Sequence, residues 1–319
     1  VYQDQIIGEG WHQRAGGPHA EVNAIQAVKN PSILSKSTLY VSLEPCSHYG
    51  KTPPCASLII RHKIPKVVIA SKDPNPIVSG RGISMLLDVG CEVVTGVLES
   101  EANELNRRFF TYQNKKRPYI LLKWAQTADR FIAPEENESR GKVFWISSPL
   151  SRKKVHQWRS QEQSILIGVQ TAVHDNPQLT TRAWAGKNPI RMVLDPKNRI
   201  AENSHLMQDN EPCLLINKQK NRFKNPLKKS IVLNPFSIER FLQKCFELEI
   251  QSILVEGGQK TIQNFIDQNL WDEARVFNSL KKIQTGVKAP TFNKVIHHSE
   301  RIETDRLDYY FNQTDPKVL

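Results

Sequence analysis

Three zinc-binding side chains and one proton-moving side chain fall at short, ordered spacings in the first third of the chain. Pro18-His19-Ala20-Glu21 is followed by Glu44-Pro45-Cys46 and then by Pro53-Pro54-Cys55. One imidazole and two thiolates suit zinc, and a set of three leaves a fourth tetrahedral position open for water, as a catalytic site requires. His19 and Cys55 both open segments of helical pattern, where the positive end of a helix favours the Cys55 thiolate. Glu21 follows His19 too closely to be a comfortable fourth ligand. It is placed instead to take a proton from a metal-activated water and hand it on. A purely structural zinc would need a fourth protein ligand, for which His48 is the candidate. Cys91, Cys213 and Cys245 lack such surroundings and read as packing thiols.

The elements that must hold these groups alternate. Residues 19–29 pattern as a helix entered through Gly16-Gly17-Pro18, 38–43 as a strand ending at Glu44-Pro45, 54–62 as a short helix and 66–70 as a buried strand. A helix over 82–88 closes at Gly90, a strand covers 92–96, and 101–112 has the apolar stripe of a helix. This βα order predicts an α/β sandwich over residues 1–112. The polar, basic stretch 113–118 (QNKKRP) reads as a linker. A second α/β series follows over 119–319. Strands are expected at 119–124, 164–168, 190–194, 213–216 and 252–255, helices at 150–159, 238–248 and 259–269, and a basic loop at 218–229.

Composition bounds the partners. A chain of 319 residues predicts about two domains, and 39% hydrophobic with 24% charged residues is ordinary for a globular protein. No apolar run reaches membrane-span length, and the first residues given do not read as the basic-then-apolar pattern of a signal peptide. Five cysteines, an odd number, do not form a disulfide framework, so a cytoplasmic setting is expected. The net charge is +12, but residues 1–112 carry only +1 of it. A nucleic-acid substrate would call for basic surface around the metal, so small phosphorylated ligands are favoured.

The order H-x-E then P-C matches the first part of the zinc deaminase signature H-x-E…P-C-x-x-C. Here eight residues, not two, separate the cysteines. The complete run LEPCSHYGKTPPC (43–55) resembles the deaminase domain of the bifunctional riboflavin-biosynthesis deaminase/reductase family, as does DPNPIVSGRG (73–82). LLKWAQTAD (121–129), FWISSP (144–149), GVQTAVHDNPQLTTR (168–182) and LVEGG (254–258) resemble that family's reductase domain, in the family's order.

The resemblance implies a cytidine-deaminase-like α/β/α sandwich joined to a dihydrofolate-reductase-like α/β domain, with zinc and NADPH as cofactors. It implies hydrolytic deamination of 2,5-diamino-6-(ribosylamino)pyrimidin-4-one 5′-phosphate, then reduction of the ribose of the product to a ribityl chain. His48, Lys51 and Thr52 offer donors for the ribose phosphate. By matching motif, Trp145, Arg159, Leu179, Arg182 and Glu256 would line the reductase substrate, and Ala125, Thr171, Asp175 and Gly258 would hold the cofactor. Lys123 would lie near the reductase centre. No GxGxxG occurs, so the phosphates would rest on the turns at Gly168 and Gly257-Gly258, each between a strand and a helix.

The resemblance implies a helix and a strand ahead of the position of Val1, so the natural start is expected to lie upstream of it. Arg130 stands where the family has glycine, and 278–285 (NSLKKIQT) lacks expected glycines. A homo-oligomer is expected. The alternatives are a member with one inactive domain, a deaminase with a ligand-sensing second domain, a zinc-stabilised structural protein, and a nucleic-acid-directed zinc deaminase.

Overall fold

The computed structural model describes all residues except 15, 50–52, 76–77, 136–143, 220–222, 224 and 313–319. The chain divides into two compact units with the boundary between Lys115 and Lys116. Among the described residues, no helix is long and apolar enough to cross a membrane.

The first unit is built on three parallel strands in the order β1 (Thr38–Leu43), β2 (Lys66–Ser71), β3 (Glu92–Thr95). Its helices are α1 (Ala20–Gln26), α2 (Cys55–Arg61), α3 (Arg81–Leu87), α4 (Glu99–Leu105) and α5 (Arg107–Lys115). The central β2 is apolar on both faces, with Val67, Val68 and Ile69 buried, as a parallel strand covered on both sides demands. Ile25, Ile59 and Leu86 from the first three helices join Val67 and Ile69 in one core. That burial fixes the helices that carry the site.

Two expectations are corrected here. Residues 101–112 do not form one helix. The chain breaks at Asn106, whose side-chain amide donates to the Ala102 carbonyl at 2.9 Å and competes with the helical ladder. Helix α5 then runs on through Lys115, so residues 113–115 belong to the first unit and are not linker.

Among the described residues the second unit has nine strands in one sheet. In chain order they are β4 (Tyr119–Gln126), β6 (Ser164–Gly168), β7 (Ile190–Leu194), β8 (Cys213–Asn217), β9 (Lys228–Val232), β10 (Ser252–Val255), β11 (Glu273–Asn278), β13 (His298–Ile302) and β14 (Asp305–Phe311). The short β5 (Phe131–Ala133) and β12 (Val287–Lys288) pair separately. The order across the sheet is β13-β14-β11-β4-β10-β6-β7-β8-β9, parallel except for β14, which runs antiparallel to both of its neighbours. The helices are α6 (Pro149–Gln161), α7 (Val169–Asp175), α8 (His205–Gln208), α9 (Ile238–Glu247) and α10 (Gln259–Asp267). Side chains alternate across the sheet. Ile120, Leu122, Leu166 and Val255 pack on one face with Phe241, Phe265 and Trp271. Leu121, Ile165 and Leu254 pack on the other with Val155 and Trp158 of α6.

The expected basic loop at 218–229 ends early, because Lys228 and Lys229 begin β9. Lys228 is buried and neutralised, its Nζ donating to Asp209 Oδ1 at 2.8 Å, so its charge hid a strand position. Strand β11 escapes the hydrophobic pattern for a related reason. Beside the core residues Ala274, Val276 and Phe277 it buries Glu273 and Arg275, paired at 2.6 Å, with the guanidinium 4.5 Å from the Trp158 ring centre.

Candidate functional sites

In the first unit, α1 and α2 begin where the chain turns towards the end of β1. His19 is the N-cap residue of α1, in extended backbone, and Cys55 is the first residue of α2. Cys46 follows β1 by three residues. The ligand atoms of His19, Cys46 and Cys55 all lie within 4.8 Å of one another. His19 Nδ1 is 3.5 Å from Cys46 Sγ and 3.3 Å from Cys55 Sγ. Zinc bonds of about 2.3 Å to sulfur and about 2.1 Å to nitrogen, tetrahedrally arranged, would separate N and S by about 3.5 Å. The donor set therefore fits zinc. Among the described residues His48 is outside this group, so the structure gives three protein ligands and not four.

The backbone N–H of Cys55 points at Cys46 Sγ, 3.3 Å away. Hydrogen bonding from Cys55 pulls the Cys46 thiol down to about 5, and burial opposes it. Cys55 is pushed up by its hydrogen bond with Cys46 and by burial. A bound metal would hold both as thiolates. Glu21 is buried in the first turn of α1, beside Cys55, and burial raises its carboxyl above the ordinary range. A carboxyl so placed is suited to hold a proton. His48 is exposed, with the Asp73 carboxyl in its electrostatic surroundings. Lys51 and Thr52 lie outside the described residues.

Glu44 and Asp73 were not among the residues singled out from sequence. Glu44 is buried just ahead of Pro45-Cys46 and accepts four backbone N–H groups, from Asp73, Gly80, Gly82 and Ile83. The available signal was a carboxylate at a strand end preceding a ligand loop.

In the second unit, parallel register sets the charges. Val255 of β10 pairs with Leu122 of β4, so Glu256 comes beside Lys123. Their charged atoms are 3.6 Å apart. Helix α6 starts at the Ser148 cap, with Pro149 in its first turn, and buries Val155 and Trp158. Trp158 stacks on Phe277, with ring centres 5.4 Å apart. The next residue, Arg159, thereby reaches Glu256 with Nε at 2.7 Å and Nη2 at 2.8 Å, and Nη1 donates to the Thr180 carbonyl at 3.1 Å. Burial alone would raise the Glu256 carboxyl, but Arg159 and Lys123 overcome it and hold it at about 2. Lys123 is pushed down by burial against the pull of Glu256. Burial and the nearby Arg159 charge lower Arg182. His156, missed from sequence, is buried in the same group and is pushed down to about 4 by burial, Arg159 and Arg182. It lies one turn before Arg159 on α6, which is the signal that could have found it.

The structure thus brings together Lys123, Arg159, Arg182 and Glu256. Leu179 is buried next to Thr180, in left-handed backbone. Trp145 is half-exposed, its ring covered by the Arg152 guanidinium at 4.5 Å. Ala125 lies on β4, Thr171 in the first turn of α7 and Asp175 at its last, exposed position.

Strands β6 and β10 are parallel neighbours, and the turns following them meet. A Cβ on Gly257 would lie 2.5 Å from Ile167 Cα, and one on Gly258 would lie 3.0 Å from Thr171 Oγ1. Gly258, at φ +41°, opens α10. Side chains are excluded there, leaving backbone close to the carboxyl ends of two strands, where open α/β sheets take nucleotide phosphates. The residues present fit a dinucleotide cofactor without the GxGxxG fingerprint.

These two units define a class: a zinc deaminase fold and a nucleotide-dependent reductase fold in one chain. Residues 1–71 match the profile of the cytidine and deoxycytidylate deaminase zinc-binding region, and residues 118–279 match the RibD C-terminal domain. The riboflavin biosynthesis protein RibD of Aquifex aeolicus is 41% identical over 293 residues, covering 90% of this chain and 81% of that one. The RibD of Escherichia coli K12 is 33% identical, with 87% and 79% covered. Among solved structures, a diaminohydroxyphosphoribosylaminopyrimidine deaminase/5-amino-6-(5-phosphoribosylamino)uracil reductase from Thermotoga maritima superposes with a TM-score of 0.88 at 36% identity, covering 97% of this chain and 90% of that one. Acinetobacter baumannii RibD superposes at 0.87 with 28% identity, covering 98% and 90%. The chain belongs to the RibD family of bifunctional riboflavin-biosynthesis enzymes, with a zinc-dependent deaminase and an NADPH-dependent reductase acting on small pyrimidines.

Proposed function

We propose that the first unit deaminates 2,5-diamino-6-(ribosylamino)pyrimidin-4-one 5′-phosphate and that the second reduces the resulting 5-amino-6-(5-phosphoribosylamino)uracil to its ribityl form. The observation that carries the deaminase reading is the His19, Cys46, Cys55 triangle with buried Glu21 beside it. His19, Cys46 and Cys55 would hold zinc, which would supply an activated water. Glu21 would move one proton of that water to the ring nitrogen and then pass the proton of the newly attached hydroxyl to the departing amine. A carbon–oxygen bond forms as the carbon–nitrogen bond breaks, and ammonia leaves. His48, Lys51 and Thr52 bind the ribose phosphate.

In the second unit Trp145, Arg159, Leu179, Arg182 and Glu256 hold the ribotide, and Ala125, Thr171, Asp175 and Gly258 hold NADPH. NADPH held there would supply the hydride for the open-chain sugar carbon. Arg182 suits two-pronged binding of the substrate phosphate, and Arg159, held by Glu256, adds positive charge beside it. Lys123, buried at 3.6 Å from Glu256, lies near the reacting carbon and fixes the local charge. The chain works in the cytoplasm as a homo-oligomer. The five free cysteines and the commonness of symmetric assemblies support this part.

The test is a pair of single-unit lesions in the full-length protein. Glu21→Ala should abolish ammonia release and leave NADPH oxidation on the deaminated ribotide intact. Arg159→Ala should do the reverse. Loss of both activities in either variant, or of neither, contradicts the assignment.

A further inference from the structure

Glu44 lies outside the ligand triangle, yet it occupies the joint between two segments of the deaminase site. Its Oε2 accepts from the amides of Asp73 at 3.3 Å and Gly80 at 3.0 Å. Its Oε1 accepts from Gly82 at 3.0 Å and Ile83 at 3.3 Å. The carboxylate is only 3% exposed, so the four donors stand in for its lost hydration shell. The same segments also touch through backbone. A Cβ on Gly82 would lie 2.0 Å from the Pro45 carbonyl oxygen, so any other residue would drive α3 away from the loop that carries Cys46. Asp73 emerges from this joint with its carboxyl in the electrostatic neighbourhood of Cys46 and His48. One buried side chain therefore ties the loop of a metal ligand to the segment that carries Asp73, whose carboxyl feels the charges of Cys46 and His48.

We propose that Glu44 is a positioning residue of the deaminase. It locks the Asp73 amide and the start of α3 onto the Pro45-Cys46 loop, and so fixes the substrate-binding wall relative to the metal. The proposal rests on the deaminase reading above. Its primary effect is on substrate binding, because His19 and Cys55 are anchored by α1 and α2 and do not depend on this joint.

The test uses the full chain with Glu44→Ala, Glu44→Gln and, as an independent lesion from the opposite side, Gly82→Ala. Zinc content, hydrogen exchange, deaminase kcat and KM, and reductase rate on the deaminated ribotide are measured on the same preparations. Glu44→Ala and Gly82→Ala should keep one zinc per chain and the full reductase rate. The deaminase kcat/KM should fall about 10- to 100-fold, the range of activity lost on removing a residue that orients a metal site, with the larger part of the change in KM. The amides of Asp73, Gly80, Gly82 and Ile83 should lose exchange protection in Glu44→Ala. Glu44→Gln keeps one acceptor oxygen and should recover part of the loss. Unchanged protection of those amides overturns the proposal, whatever the substrate. An unchanged KM in Glu44→Ala also overturns it, as does a kcat that falls only in proportion to lost zinc. Absence of ammonia from the wild-type protein would instead refute the substrate assignment, with the exchange result still deciding the role of Glu44.

Discussion

Arg159 grips Glu256 with two parallel hydrogen bonds, Nε to Oε1 at 2.7 Å and Nη2 to Oε2 at 2.8 Å, and Lys123 approaches the same carboxylate from β4. The Glu256 side chain is only 8% exposed, so two cations depend on one largely buried anion. Removing one partner of such a pair costs about 3–5 kcal/mol, because the remaining charges stay buried and uncompensated. Glu256→Gln should lower the stability of the second unit by roughly that amount in urea titrations. The carboxyl sits at about 2 in the fold against 4.5 in the unfolded chain. Its contribution is therefore complete above pH 4.5 and is lost as pH falls towards 2. The Gln variant should lack that part of the acid dependence.

His156 predicts a different window. Its imidazole is held at about 4 by burial and by the Arg159 and Arg182 charges, whereas the unfolded chain takes its proton near 6.5. Between those values the unfolded state binds a proton that the folded state refuses, so stability drops as pH falls from 6.5 to 4 and levels off below. A His156→Asn variant should lose less stability than wild type across that interval. Equal slopes in denaturation curves taken at pH 6.5, 5 and 4 would refute this.

Gly258 predicts cofactor sensitivity. Its φ of +41° and the closeness of Thr171 Oγ1 leave little room for a methyl group. Gly258→Ala should weaken NADPH binding about 10-fold, corresponding to roughly 1.4 kcal/mol of strain and displaced backbone. Deaminase activity should be unchanged. Fluorescence titration with NADPH reads the effect directly.

Arg130 occupies left-handed backbone at φ +63°, in the turn where Thr127 N–H bonds the Phe131 carbonyl at 2.9 Å. A side chain there costs about 1 kcal/mol relative to glycine, partly offset by the greater freedom of glycine in the unfolded chain. Arg130→Gly should therefore raise stability by up to about 1 kcal/mol, whereas Arg130→Ala should not. Thermal melts of the two variants separate the backbone effect from loss of the side chain.

The metal site was legible because its residues are chemically scarce and sit at element ends that proline and glycine mark. His19 and Cys55 are found at the starts of α1 and α2, as their sequence contexts implied. Strand β1 was legible from its alternation up to Glu44-Pro45, and β6, β7 and β10 from short, largely apolar runs. What escaped was held by charge or by distant partners. Strand β11 turns Glu273 and Arg275 inward, where Tyr119 Oη donates to Glu273 at 2.9 Å, and no periodicity count treats such residues as core. Glu44 was passed over because its four partners lie 29 to 39 residues away. The divergent 278–285 segment is held by Asp129, whose Oδ2 accepts from the Ile283 and Gln284 amides at 3.1 and 2.8 Å, a long-range tie that local composition does not reveal.

The most direct test of the two-reaction account is the mass of the product formed from the diaminopyrimidinone ribotide by zinc-loaded protein, with and without NADPH. Without NADPH the account predicts replacement of one amino group by oxygen and nothing more. With NADPH the same product should gain two hydrogens. An unaltered ribotide, or a product that gains hydrogens while keeping both ring amino groups, would contradict it.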